Sequence, residues 1–246
     1  MILTVENLKK SFDGFVAVNG VSFSIEKGEL CSIIGPNGAG KTTVFNLITG
    51  YLPLDEGRVI FNGVDITHMR AYQICRLGMR RSFQRTNIFP RLTVFENVQA
   101  ALLAYRGESF NFFTPVETLF HKETEAILER VGLQDHSNVM SGSLSYGFQK
   151  QLELGIVLAS EPDVLLLDEP TAGMSTKETS ATIELIGRIA REKGLTLLFT
   201  EHDMEVVFSI SERVLVLHQG GMIAEGSPDE VRTNPDVQKV YLGEAR

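Results

Sequence analysis

Apolar and polar residues alternate through Val21-Ser22-Phe23-Ser24-Ile25, the period of a strand buried on one face. After a Glu26-Lys27-Gly28-Glu29 turn, Leu30-Cys31-Ser32-Ile33-Ile34 is almost continuously apolar, which predicts a strand buried on both faces. Thr42 to Thr49 has helical spacing. Arg58 to Asn62 alternates again and runs into Asn62-Gly63, a strong signal for a two-residue hairpin turn. Half-buried hairpins around a buried strand, loop and helix predict an antiparallel sheet leaning on a parallel core.

The middle of the chain changes period. Val94, Val98, Ala101 and Leu102 make one helical stripe, and Leu119, Ile127 and Val131 make another. Between them lies an aromatic loop, Gly107 to Pro115, carrying Phe110, Phe112 and Phe113. Past Pro162 the pattern alternates strand and helix: Val164–Leu167, Lys177–Lys193, Leu195–Thr200, Met204–Ser211, Val214–Leu217. Strands separated by helices imply a parallel sheet. The fold class is therefore α/β. Residues 1–85 and 159–225 are expected to form a core with an antiparallel β subdomain, and 86–158 an inserted helical subdomain. Residues 226–246 read as a polar tail, helical in parts.

Composition narrows the class. With 246 residues, 43% of them hydrophobic, the chain can bury a core and is not expected to be disordered. The net charge of −8 argues against bulk nucleic-acid binding. No stretch approaches the roughly 18 consecutive apolar residues that cross a bilayer. Glu6, Lys9 and Lys10 stand where a signal peptide would need its apolar run. No direct membrane insertion is expected, and the default is a soluble cytoplasmic protein. Cys31 and Cys75 have neither zinc-site nor disulfide spacing.

Chemistry enters at Gly35-Pro36-Asn37-Gly38-Ala39-Gly40-Lys41-Thr42, which fits the phosphate-binding pattern GxxxxGK(S/T) between a buried strand and a helix. Glycines let backbone N–H groups curl around phosphate oxygens, and the helix N-terminus adds a favourable dipole. Lys41 would meet the β- and γ-phosphates, and the Thr42 hydroxyl can ligate Mg²⁺. A second metal-side ligand is expected at the carboxyl end of a neighbouring strand, where Val164–Leu167 ends in Asp168-Glu169. Asp168 is assigned to the Mg²⁺ shell, and Glu169 to orienting or deprotonating the attacking water. His202 also follows a strand, beside the expected γ-phosphate. Gln84, where the core gives way to the helical insert, could ligate Mg²⁺ or hold water; an exposed loop glutamine reads equally well. Either Phe12 or Phe15 could stack on a base, or simply pack. Leu144-Ser145-Tyr146-Gly147-Phe148-Gln149 precedes an amphipathic helix, and its Ser and Gly make either a second anion site or an ordinary N-cap.

In this order the pieces resemble the ATP-binding cassette family of transport ATPases over essentially the whole chain. The resemblance implies a P-loop NTPase (RecA-like) core, with ATP and Mg²⁺ as ligands. It makes the loop through Thr43 the Walker A site and Phe12 the base-stacking aromatic. It casts Gln84 as the Q-loop residue, Asp168 and Glu169 as Walker B and the catalytic glutamate, and His202 as the switch histidine. It also places Ser145, Tyr146, Gly147 and Phe148 in a signature that acts on the nucleotide of a second subunit.

Two departures stand out. Tyr146 and Phe148 replace a Gly and a Gln of the common LSGGQ signature, and Ser175 follows Ala172-Gly173-Met174 where the family usually has an Asp. Arg81-Ser82-Phe83-Gln84-Arg85, Tyr146-Gly147, the segment from Tyr105 to His121 and the ending from Asn234 to Gly243 are similar to the ATP-binding subunits of branched-chain amino acid importers. The tail is also similar to the lipopolysaccharide-export ATPase, and a non-transport cassette is a further alternative. The resemblance implies a homodimer or heterodimer with a second ATP-binding subunit, integral membrane permease subunits as partners, and a peripheral place on the cytoplasmic face of the inner membrane. Residues around Gln84 to Leu92 and Phe110 to Phe113 are candidates for gripping the permease or for local packing. A GTPase would need an NKxD base reader, which is absent.

Overall fold

The computed structural model describes residues 1–82, 87–108 and 119–243. β1 (Leu3–Phe12) and β2 (Phe15–Ile25) form an antiparallel hairpin whose turn, Asp13-Gly14, sets Phe12 opposite Phe15. The β1 strand does not announce itself in the sequence. Its register slips between Val5 and Leu8, and Asn7 has a φ of 48°, so a bulge breaks the period-2 signal. On the other side β1 pairs with β4 (Glu56–Phe61), which returns through Asn62-Gly63 into β5 (Val64–Asp65). Asn62 and Gly63 both have positive φ, 48° and 76°, as a tight hairpin turn demands. The sheet order is β2-β1-β4-β5.

A second sheet has six strands: β3 (Leu30–Ile34), β6 (Met79–Arg81), β7 (Val164–Asp168), β8 (Thr196–Thr200), β9 (Arg213–His218) and β10 (Gly221–Gly226). Their spatial order is β10-β9-β3-β8-β7-β6, parallel throughout except for β10. Every residue of β3, β7 and β8 is buried, which explains their largely apolar sequences. β6 escaped the sequence pattern because two of its three residues are arginines.

Helix α1 (Lys41–Ile48) follows β3 and buries Val44, Phe45, Leu47 and Ile48. A short α2 (Ala71–Arg76) precedes β6. α3 (Val94–Arg106) opens with Thr93 and Glu96 exchanging side-chain and backbone bonds in a capping box and closes at Gly107. It packs with α4 (His121–Arg130) and α5 (Tyr146–Leu158), burying Val98, Leu102, Ile127, Leu128 and Leu152. α6 (Thr176–Lys193) and α7 (Met204–Ile210) connect the later strands. The tail contains α8 (Pro228–Thr233), capped by Ser227 and Glu230, and α9 (Pro235–Gly243).

The chain separates into two compact units. Met1–Arg81, Asp163–Pro170 and Ala190–Arg246 make the first; Ser82–Pro162 and Thr171–Ile189 make the second. The first holds both sheets. Among the described residues no helix is long and apolar enough to cross a membrane.

Candidate nucleotide-binding and hydrolysis site

β3 delivers the chain into the loop at Gly35, and only glycine fits there. Its φ is 154°, and a Cβ would stand 2.2 Å from the carbonyl oxygen of Leu217 on β9. At the other end Gly40 (φ 103°) leaves 2.6 Å between a Cβ and the Ala17 carbonyl oxygen. The loop is also held from outside: the Gly220 N–H donates to the Ala39 carbonyl at 3.1 Å, and the Asn19 N–H donates to the Gly220 carbonyl at 2.8 Å. Gly220 thus serves the loop from the β9–β10 turn, a role that sequence spacing did not reveal.

Gly40 caps α1 without any side-chain hydrogen bond, and the first turn carries no acidic residue. The helix therefore presents its N-terminal N–H groups and dipole unopposed, which suits an anion. Lys41 is buried, and its Nζ donates to the carbonyls of Gly35 (2.6 Å) and Pro36 (3.1 Å). Asn37 through Thr43 line a cavity of about 330 Å³ together with Phe12, Phe15, Ala17 and Glu169. Phe12 and Phe15 are 40% and 66% exposed, so the hairpin tip brings two partly exposed aromatic rings to that cavity rather than burying them in the core.

The acid pair is set by strand register. Asp168 ends β7 opposite Thr200, which ends β8. Asp168 is 1% exposed; its Oδ1 accepts from Oγ1 of Thr200 (2.8 Å) and its Oδ2 from Nη2 of Arg81 (2.7 Å). The Glu169 N–H donates both to the Thr200 carbonyl and to Oγ1, each at 3.1 Å. Glu169 takes a φ of 49°, a left-handed conformation costing of order 1–3 kcal/mol for a residue with a Cβ. Oε1 of Glu169 lies 2.6 Å from Nε2 of His202, just beyond β8. Glu169 and His202 are thus brought together at the carboxyl ends of adjacent strands. Thr200 is a residue that sequence pattern did not single out; its only signal was a hydroxyl closing an apolar strand.

The donor set suits Mg²⁺. The Thr42 side chain is exposed and Asp168 is a carboxylate, both hard oxygen donors. Few protein ligands, with the rest supplied by phosphate and water, is how proteins bind this ion.

The residues expected to form the signature, Ser145 to Phe148, lie in the second unit. Ser145 precedes α5, and its side chain makes no capping hydrogen bond, so the hydroxyl is not used as an N-cap. Tyr146 is 40% exposed. A Cβ at Gly147 would stand 3.3 Å from Oε1 of Glu178. Phe148 is turned into its own unit, its ring 4.5 Å from that of His136. Ser175 is engaged locally, its hydroxyl and N–H both bonding Oε2 of Glu178, at 2.6 and 3.0 Å, at the start of α6. Gln84 lies outside the described residues, as do Phe110 to Phe113.

A nucleotide-sized cavity, a phosphate loop at a helix N-terminus and an acid pair at strand ends define a P-loop nucleotide hydrolase. The ABC transporter family model matches residues 18–172, and the model for the branched-chain amino acid ATP-binding cassette transporter matches 222–246. The chain belongs to the ABC transporter family and is one of its ATPases. It is 39% identical over 251 residues to the high-affinity branched-chain amino acid transport ATP-binding protein LivG of Salmonella typhimurium, covering 99% of this chain and 98% of that one. Its fold is similar to the ADP conformation of an ABC transporter ATP-binding cassette, with a TM-score of 0.86, 33% identity and 98% of each chain covered. It is also similar to a dimeric cassette in a post-hydrolysis state bound to ADP and Pi, with a TM-score of 0.77, 25% identity and coverage of 92% and 98%.

Proposed function

We propose that this chain is the ATP-hydrolysing subunit that powers import of branched-chain, or related, amino acids through a separate membrane permease. The observation that carries the hydrolytic reading is the 2.6 Å contact between His202 and Glu169, which lines the phosphate-loop cavity. The base of ATP stacks on Phe12, and the triphosphate follows Gly35 to Thr43. Lys41 turns from the loop's own carbonyls to the β- and γ-phosphates. Thr42 and Asp168, with Gln84, would hold Mg²⁺, which would neutralise charge on the phosphate oxygens. Glu169 accepts a proton from the attacking water, and His202 fixes the Glu169 carboxylate and reaches the γ-phosphate. Water oxygen bonds to the γ-phosphorus as the bond to ADP breaks.

Ser145 and Gly147, supported by Tyr146 and Phe148, act on the nucleotide of a second ATP-binding subunit, identical or not. On this reading residues 1–85 and 159–225 bind nucleotide, 86–158 carry the signature, and the protein works peripherally at the cytoplasmic face of the inner membrane. The match at residues 222–246 favours importer over exporter. Reconstitution with permease subunits in proteoliposomes tests it: ATP-dependent uptake of labelled leucine or valine is expected. ATP hydrolysis without uptake of any such amino acid would overturn the substrate class.

A further inference from the structure

Arg81, the last residue of β6, is held in a way that simple sheet packing does not require. Its side chain is 8% exposed and faces an Asp168 that is 1% exposed. Nη2 donates to Oδ2 of Asp168 at 2.7 Å, while Nη1 donates to Oδ1 of Asn46 at 2.5 Å. The guanidinium also lies 5.6 Å from the ring centre of Phe45 and 5.9 Å from that of Tyr51. Nε is buried without a hydrogen-bond partner among the described residues. Asn46 stands one turn beyond Thr42 on α1, so the two share a helix face. Arg81 therefore ties the Thr42 face of the phosphate-loop helix to the acid that ends β7.

The charge arithmetic sharpens this. A carboxylate so deeply buried is costly unless a cation balances it, and removing one partner of a buried pair leaves the other uncompensated. We propose that Arg81 is the resident counter-cation of Asp168, a positioning residue that balances and aims this carboxylate until Mg²⁺ arrives with nucleotide. The inference rests on reading Asp168 as the metal-side acid. It predicts that the protein depends on Arg81 most when metal is absent, because a bound divalent cation supplies the missing charge.

The test compares thermal unfolding of the full chain in ADP with EDTA and in ADP with Mg²⁺, for wild type, Arg81→Met and Arg81→Lys. Arg81→Met is expected to melt well below wild type in EDTA, and Mg²⁺ should remove roughly half or more of that deficit. Arg81→Lys keeps the charge but not the fork to Asn46, so its deficit and its Mg²⁺ response should both be smaller. An equal deficit with and without Mg²⁺ would make Arg81 a plain structural brace and overturn the proposal. A wild type that gains no stability from Mg²⁺ over ADP alone would instead remove the metal reading of Asp168 beneath it. Should Arg81→Met fail to fold, Arg81→Met/Asp168→Asn is expected to fold, since the uncompensated carboxylate is gone; a double variant that also fails overturns the proposal.

Discussion

Nε2 of His202 stands 2.6 Å from Oε1 of Glu169, although 33 positions separate them in sequence. The pairing follows from the parallel register of β7 and β8, which puts Asp168 opposite Thr200 and so brings the residues after each strand to the same edge. Glu169→Gln should therefore keep ATP affinity and lose roughly 10²- to 10⁴-fold in hydrolysis, the usual worth of a positioned base. His202→Ala should also slow hydrolysis. Because the two side chains act on one another, the double variant should be little worse than Glu169→Gln alone. Phosphate release with parallel ATP titrations measures all three, and a Glu169→Gln protein with normal turnover removes Glu169 from the mechanism.

Lys41 shows a loop already charged for its ligand. Its Nζ rests on the carbonyls of Gly35 and Pro36 inside the loop. Lys41→Ala should abolish measurable nucleotide binding in a calorimetric or fluorescence titration. Undiminished affinity would mean that the cavity lined by residues 37–43 is not where the triphosphate sits.

Much of this was legible because continuous burial leaves a continuous apolar record. β3, β7 and β8 are buried at every position, and their sequences say so. The bulge near Asn7 erased the alternation of β1, and Arg80 and Arg81 disguised β6. The loop glycines and the Asp168-Glu169 pair stood out as candidates because phosphate chemistry restricts residue types, and His202 because it follows a strand. Thr200, Gly220 and Arg81 act through hydrogen bonds made only after distant strands pair, and no local pattern encodes those.

Asp55 gives a dependence on pH. Its carboxylate accepts from Nζ of Lys10 (2.6 Å) and from the Ser11 N–H (2.7 Å), bracing the hairpin arm that ends at Phe12. The Lys10 bond first, then the Ser11 N–H, hold its pKa below the ordinary 3.8. A carboxyl lowered in the folded state stabilises the fold above its unfolded pKa, and that contribution fades as pH falls through the folded value. Asp55→Asn should thus narrow its gap to wild type as pH drops below about 4. Melting curves of both proteins from neutral to acid pH read this directly, and a gap that stays constant would assign Asp55 no linked proton.

Thr200 offers the sharpest test of how the acid pair is built. Its hydroxyl donates to Oδ1 of Asp168 at 2.8 Å and accepts the Glu169 N–H at 3.1 Å. Thr200→Val keeps the shape and the β propensity but removes both bonds. A buried carboxylate oxygen loses its donor, which costs about 1–3 kcal/mol. The left-handed turn at Glu169 keeps only its bond to the Thr200 carbonyl, so the Glu169 carboxylate should lose its fixed aim at His202. The expected result is a lower melting temperature, hydrolysis reduced by one to two orders of magnitude as a rough measure of lost positioning, and ATP affinity close to wild type. Thr200→Ser, which restores the hydroxyl, should recover most of the turnover. If the serine variant were as slow as the valine one, the hydroxyl would not be what holds the acids in place.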